Sequence, residues 1–246
     1  MSPPRLLITA GPTHEPIDAV RYIGNRSSGR LGIAIADAAA DRGWAVTLLL
    51  GPTHLLPTNS AVIVRRYRTC ADLGALLEAC QPRCDLLIMA AAVADYRPKV
   101  PHAQLDTKLR RLDQTHDTPS SESSSSSTPP TSSGQANHPA RTLELEPTED
   151  LLAACAARRR PTQLLVGFAL EPRAALRQSA RAKLDRKHID CIVANPLETM
   201  ESDTIEAVLI DRWEHETATP GRLPKPLFAQ WLLDRLAPCL AAQRPD

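Results

Sequence analysis

Several residues in this chain have the type and spacing to handle phosphate groups. Gly29 and Gly32 open a stretch that reads as a helix. Glycines there let backbone approach an anion, and a helix N-terminus supplies free N–H groups and a favourable dipole. The same pair also suits a tight turn with close helix packing. Gly11, Asn25, Ser27 and Ser28 lie in the loop ahead of that helix. The Asn25 amide can donate to a carbonyl or an oxyanion, or can simply shape a turn. Asp95 follows an apolar run directly, which suits a carboxylate at a cleft mouth or a turn residue. Lys108 heads a short basic cluster. Lys183 and Lys187 stand four apart, where like charges repel by a few tenths of a kcal/mol unless an anion lies between them. Phe168, one of eight aromatic residues, can stack on a base or pack in the core. The histidines fit no metal spacing, and no nucleophile has an evident base.

These residues need elements to position them. Arg5–Ala10 is an apolar run ending at Gly11-Pro12, a buried-strand signal. Ser28–Arg42 reads as a helix capped by Ser27 or Ser28, with Leu31, Ile35 and Ala38 on one face and Gly43 as its stop. Strands are expected at Ala45–Leu50, Ala61–Tyr67, Asp85–Ala92, Gln163–Phe168, Asp190–Ala194 and Ile205–Ile210. Helices are expected at Ala71–Cys80, Thr148–Arg160 (capped by Thr148), Pro172–Lys187 and Pro226–Ala242. Alternating strands and helices predict an α/β, Rossmann-like, doubly wound and mostly parallel sheet with helices on both faces. In such a sheet, ligands bind beyond the carboxyl ends of the strands. Gly29, Asp95 and Phe168 therefore fall where a site belongs.

The 246 residues suit one large domain. Between Thr118 and Gly134 there are nine Ser, three Thr and three Pro. That composition has too little apolar surface to offset its ordering entropy. About residues 112–141 are therefore expected to form a disordered insertion within a single domain spanning 1–246. Lys+Arg 29 against Asp+Glu 28 leaves a charge of +1, which supplies no basic field for nucleic acid. The longest apolar run, Leu86 to Ala94, is nine residues, against the ~20 of a membrane helix. Six scattered cysteines form no C-x-x-C pair. They are expected as free thiols in a reducing cytoplasm.

Read together, the motifs resemble one family. The stretch from Leu6 to Gly32 resembles the opening of phosphopantothenoylcysteine synthetase, a ligase of coenzyme A biosynthesis. Ala91–Pro98, Val166–Ala169 and Ala180–Lys187, followed by Ile192–Asn195, agree in order. The resemblance implies that 4′-phosphopantothenate is activated by CTP with Mg2+, giving an acyl-cytidylate and pyrophosphate. The amine of L-cysteine then displaces CMP. It assigns Lys108 to the triphosphate and Asn25 to the acyl-cytidylate. It makes Ala91, Asp95, Phe168, Lys183, Lys187 and the turn Pro147, Thr148, Glu149 and Asp150 nucleotide contacts. Gly11, Asn25, Ser27, Ser28, Gly29 and Gly32 form the substrate and phosphate loop. It further implies a homodimer. No flavin half precedes these residues, so no FMN is expected.

Some positions depart from the family's pattern. Pro12 stands for a second glycine, Leu-Arg-Arg follows Lys108, and Thr148-Glu149 interrupts the usual Asn-Pro-Asp. Two other readings use the same fold. A nicotinamide oxidoreductase lacks its ribose-binding acid here, because Leu48–Gly51 ends the second strand without one. A non-catalytic nucleotide-binding relative is disfavoured by the presence of both Asn25 and Lys108.

Overall fold

In the first strand, alternate side chains point to opposite faces, and both faces are buried. Leu6 and Ile8 join one apolar core, and Leu7 joins the other. A strand covered on both sides requires a helical layer on each face. The computed structural model describes residues 2–99, 106–108 and 142–243. In chain order its elements are β1 (Arg5–Ala10), β2 (His14–Pro16), β3 (Tyr22–Gly24), α1 (Arg30–Asp41), β4 (Ala45–Leu50), β5 (Ile63–Arg66), α2 (Cys70–Cys80), β6 (Leu86–Met89), β7 (Tyr96–Pro98) and β8 (Leu145–Pro147). They continue as α3 (Leu151–Ala157), β9 (Leu164–Glu171), α4 (Leu176–Lys187), β10 (Cys191–Pro196), β11 (Thr204–Ile205), β12 (Val208–Asp211), β13 (Glu216–Ala218), β14 (Leu223–Pro224) and α5 (Lys225–Gln243).

The main sheet has eight strands in the order β13-β12-β10-β9-β6-β1-β4-β5. The six strands from β10 to β5 run parallel, and β12 and β13 add an antiparallel edge. Residues of α1 and α5 cover one face; residues of α2, α3 and α4 cover the other. The expected doubly wound α/β architecture is therefore present. From β1, the chain builds β4 and β5 on one side and β6, β9 and β10 on the other. The switch point lies between β1 and β6, where a crevice opens beyond the strand ends.

Several boundaries differ from the sequence reading, each for a local reason. Helix α1 starts at Arg30, and neither Ser27 nor Ser28 caps it; its N-cap is Gly29, in the left-handed region at φ 75. Leu31 and Ala38 are only partly buried, whereas Gly32, Ile33, Ala36 and Ala39 face the core with Ile35. Strand β6 stops at Met89 because the Ala91 N–H donates to Thr9 Oγ1 at 3.1 Å, leaving the ladder. Helix α3 is capped by Asp150, which accepts from the Ala153 N–H, so Thr148 is not the cap. The Thr148 hydroxyl instead donates to the Ala94 carbonyl at 2.6 Å. The stretch Ile205–Ile210 splits: Ile205 pairs with Leu223, and β12 pairs with β10.

Several short antiparallel pairings are absent from the sequence reading. β2 pairs with β3, and β7 pairs antiparallel with β8. The Lys99 N–H donates to the Glu144 carbonyl at 2.9 Å, which extends the β7–β8 pairing. The Ser/Thr/Pro-rich stretch 112–141 lies outside the described residues. All six cysteines are unpaired, and burial pushes the Cys155 thiol up to about 11 and the Cys84 thiol up to about 12. No described helix is long and apolar enough to cross a membrane.

Candidate functional site

The site is built where β1 and β6 end. Beyond the two strands the chains stay together: the Ala92 N–H donates to the Gly11 carbonyl, and the Thr13 N–H donates to the Ala92 carbonyl. The buried hydroxyls of Thr9 and Thr13 accept from the N–H groups of Ala91 and Ala94. Thr148 holds the Ala94 carbonyl, as described, and its own N–H donates to the Asp95 carbonyl at 2.9 Å. Three threonines thus suspend Ala91–Asp95 over the switch point. These bonds join segments distant in sequence, so local pattern gives no sign of them.

On one side lies a cleft of about 190 Å³. It is lined by Ala91, Asp95, Thr148, Glu149 and Asp150, with Phe168, Lys183 and Lys187 opposite. The repulsion between the two lysines is resolved here. Lys187 Nζ pairs with Asp150 Oδ1 at 2.9 Å, and Lys183 Nζ donates to the Phe168 carbonyl at 2.7 Å. Burial, and then the charge of Lys187, draws the Lys183 ammonium below the ordinary lysine range. For Asp150, burial acts upward, but the Lys187 and Ala153 hydrogen bonds and both lysine charges outweigh it. Its carboxyl therefore stays below the ordinary range. The result is a half-enclosed cleft with two cations and one aromatic ring, suited to a phosphorylated, planar ligand.

The second space, about 570 Å³, continues from the first and shares Ala91, Asp95, Phe168 and Lys183 with it. Its floor is the loop before α1: Asn25, Ser27, Ser28, Gly29 and Gly32 all line it. Asn25 Nδ2 donates to the Val93 carbonyl at 2.9 Å, so the Asn25 loop is tied to the Ala91–Asp95 segment. Gly29 must be glycine twice over. Its φ is 75, and an added Cβ would stand 3.3 Å from the Gly11 nitrogen. Gly11 itself does not line the groove. It sits behind Gly29 at φ 85, against Gly51. At Gly32 a Cβ would come 2.5 Å from the Ala10 Cβ, so this glycine also seats α1 on β1.

Besides Gly11, two expected residues fall elsewhere. Pro147 pairs with Tyr96 in the β7–β8 ladder and lines neither cleft, because the turn enters the site only at Thr148. Lys108 is exposed and lines neither space; the preceding Thr107 carbonyl accepts from the Ala19 N–H at 3.0 Å. Phe168 both packs on the core and faces the cleft, so its two sequence readings hold together.

The groove also contains residues that the sequence reading missed. Arg26 pairs with Glu201 at 2.5 Å, and Arg30 pairs with Asp203. These pairs clip the segment after β10 over the start of α1. Asn195 and Thr199, hydrogen-bonded to each other at 2.8 Å, line the same wall, as does Lys225 at the start of α5. Asn195 at a strand end carried a detectable signal. Lys225 carried none, because nothing in an amphipathic helix marks which residue meets a loop 195 positions away.

An open sheet with a cation-bearing crevice at its switch point defines a Rossmann-like α/β domain. Where a dinucleotide fold keeps its ribose-binding acid, β4 is followed instead by Gly51, packed against Tyr67. Tyr67 Oη donates to the Ala10 carbonyl at 2.9 Å, and a Cβ at Gly51 would lie 2.9 Å from the Tyr67 ring. The chain belongs to the family described as DNA/pantothenate metabolism flavoprotein C-terminal domain, whose profile matches residues 1–118 and 131–239. It is 36% identical over 249 residues to the coenzyme A biosynthesis bifunctional protein CoaBC of Mycobacterium tuberculosis, covering 96% of this chain and 53% of that one. It is 40% identical over 193 residues to a protein described as cysteine/cysteine sulfinic acid decarboxylase, from an unknown prokaryotic organism. That match covers 78% of this chain and 46% of the relative. The chain thus spans about half the length of these curated relatives. The crystal structure of the C-terminal domain of CoaBC superposes with a TM-score of 0.73 at 29% identity, covering 97% of this chain and 96% of that one.

Proposed function

We propose that this chain is a phosphopantothenate–cysteine ligase domain. It activates 4′-phosphopantothenate with CTP and transfers the acyl group to the amine of L-cysteine. The observation that carries this reading is the continuity of the two spaces. A cleft lined by Lys183, Lys187 and Phe168 opens directly into a groove floored by Asn25 and the α1 N-terminus. That is the geometry required to bring a carboxylate to a nucleotide α-phosphate. Family membership and the bifunctional relatives support it.

In the first step a substrate carboxylate oxygen attacks the α-phosphorus. The new P–O bond replaces the bond to the β-phosphate, and pyrophosphate leaves with the electron pair. Lysine charges offset the negative charge that shifts onto the leaving group. Lys183 and Lys187 serve the nucleotide, and the family resemblance assigns Lys108 to the triphosphate. In the second step the cysteine nitrogen attacks the acyl carbon. The C–O bond to CMP breaks, and the amine proton is lost to solvent. Asn25 Nδ2 has two hydrogens and gives one to Val93. The other is available for the oxygen that becomes anionic at the acyl carbon.

Magnesium fits as a passenger of the triphosphate. Asp150 is committed to Lys187, whereas Asp95 and Glu149 offer carboxylates at the cleft. Among the described residues no cluster of three ligating side chains exists. A hard cation held mostly by phosphates and water needs only one or two carboxylates, and when bound it neutralises phosphate charge. The reading requires no FMN. We further propose a single domain, a cytoplasmic location and a homodimer whose contact includes the β2–β3 hairpin and the β7–β8 pair. There Val20, Tyr22, Tyr96 and Leu145 are all about half exposed.

The test is pyrophosphate release by the purified chain with phosphopantothenate and CTP, UTP or ATP, followed by mass spectrometry after cysteine is added. CTP is expected to give the highest kcat/KM and to yield phosphopantothenoylcysteine. Equal turnover with ATP would refute the nucleotide assignment; no acyl nucleotide with any of them would refute the ligase.

A further inference from the structure

Lys225 is the least expected residue in the groove. It is 8% exposed, yet it lines the large space that Asn25 also lines. Its backbone N–H donates to the Asp203 carbonyl, which fixes the start of α5. Its ammonium makes no hydrogen bond and no ion pair to any described residue. Arg30 and Asp203 are its charged neighbours; Arg30 opposes its charge and Asp203 favours it. Asp203, however, is already paired with Arg30, and Glu201 with Arg26. The wall therefore holds one ammonium without a counter-ion. A desolvated cation left in that state is unfavourable. The groove alone gives it access to an anion. Two helix N-termini, those of α1 and α5, meet at the same place and favour negative charge.

We propose that Lys225 binds the phosphate monoester of the acyl substrate, at the end of the groove away from the nucleotide. This rests on the ligase reading and extends it by naming the residue that recognises the phosphorylated end. Two observations favour the monoester over the nucleotide phosphates. Lys225 lines the large groove and is absent from the cleft of Lys187 and Asp150. The wall that carries Lys225 also includes Met200 and Ile205, which suit an uncharged acyl chain rather than a run of phosphates.

Calorimetric titration of the full chain with 4′-phosphopantothenate, with pantothenate and with CTP tests the assignment. Lys225→Met keeps the apolar stem and removes the charge, and Lys225→Arg restores the charge. Lys225→Met is expected to raise the Kd of phosphopantothenate at least tenfold, while changing those of pantothenate and CTP less than twofold. Lys225→Arg is expected to recover part of the loss. Unchanged phosphopantothenate affinity would overturn the assignment, as would an equal loss of CTP affinity, which would move the lysine to the nucleotide. Equal weakening of all three ligands would make it structural. If the wild-type chain binds CTP but not phosphopantothenate, the ligase reading falls, and this assignment with it.

Discussion

Replacing Asn25 by Asp is a sharp test of the site because it changes one donor and almost no volume. The Asn25 amide gives one hydrogen to Val93 at 2.9 Å across the crevice. A carboxylate has none to give, and places negative charge against that carbonyl. Asn25 is exposed, so the structural loss is that of a solvated hydrogen bond, about 1 kcal/mol. In a domain of this size that lowers Tm by about 2–4 °C. The chemical loss is larger. Removing one preorganised donor to a developing oxyanion typically costs about 10²–10³ in rate, or roughly 3–4 kcal/mol. The two half-reactions should therefore separate. Pyrophosphate release, which needs no oxyanion at the acyl carbon, should stay within about tenfold of wild type, some 1.4 kcal/mol of barrier. Transfer to cysteine should slow by at least a hundredfold, and acyl-cytidylate should accumulate in a quenched single turnover read by mass spectrometry. Loss of both half-reactions in parallel, with no accumulated intermediate and a Tm no more than about 4 °C below wild type, would refute this division of labour.

Four further outcomes are expected. Because burial lowers the Lys183 pKa, its charge is lost at a lower pH than that of an ordinary lysine; KM for CTP should rise on the alkaline side, and Lys183→Arg should move that limb to higher pH. Asp150 has a folded pKa below its unfolded value. Its stabilisation is thus present above the unfolded carboxylate pKa and lost as pH falls through the folded one, so Asp150→Asn should flatten the acid limb of a urea-midpoint titration. Gly32→Ala places a Cβ 2.5 Å from that of Ala10, with overpacking worth about 1–3 kcal/mol, and a thermal melt unchanged from wild type would contradict the packing described. Replacing Pro119 to Ser133 with a short Gly/Ser linker should leave turnover within about tenfold of wild type; a greater loss would mean that this stretch orders over the site.

What the sequence determined by itself was set by local physics. The ends of β1 and β4 are legible to the residue, because a strand buried on both faces is a continuous apolar run ended by glycine. The doubly wound order follows from alternating periodicities, and the position of the crevice follows from that order. The family motifs marked Asn25, Asp95, Phe168, Lys183 and Lys187, and all five line the connected spaces. Tertiary structure alone decided the rest. The start of α1 depends on a backbone angle at Gly29, imposed by packing over Gly11, and no side-chain pattern encodes it. Three-residue strands such as β2, β3, β7 and β8 are too short to show a period. Asp150 becomes the counter-ion of Lys187 once α3 and α4 pack side by side, turning an unfavourable like-charge pair into a stable cleft. Lys225 enters the site because α5 begins where the loop after β10 is clipped to α1 by two ion pairs. Each of these depends on residues far apart in the chain, and their partners are chosen only when the sheet has closed its two cores.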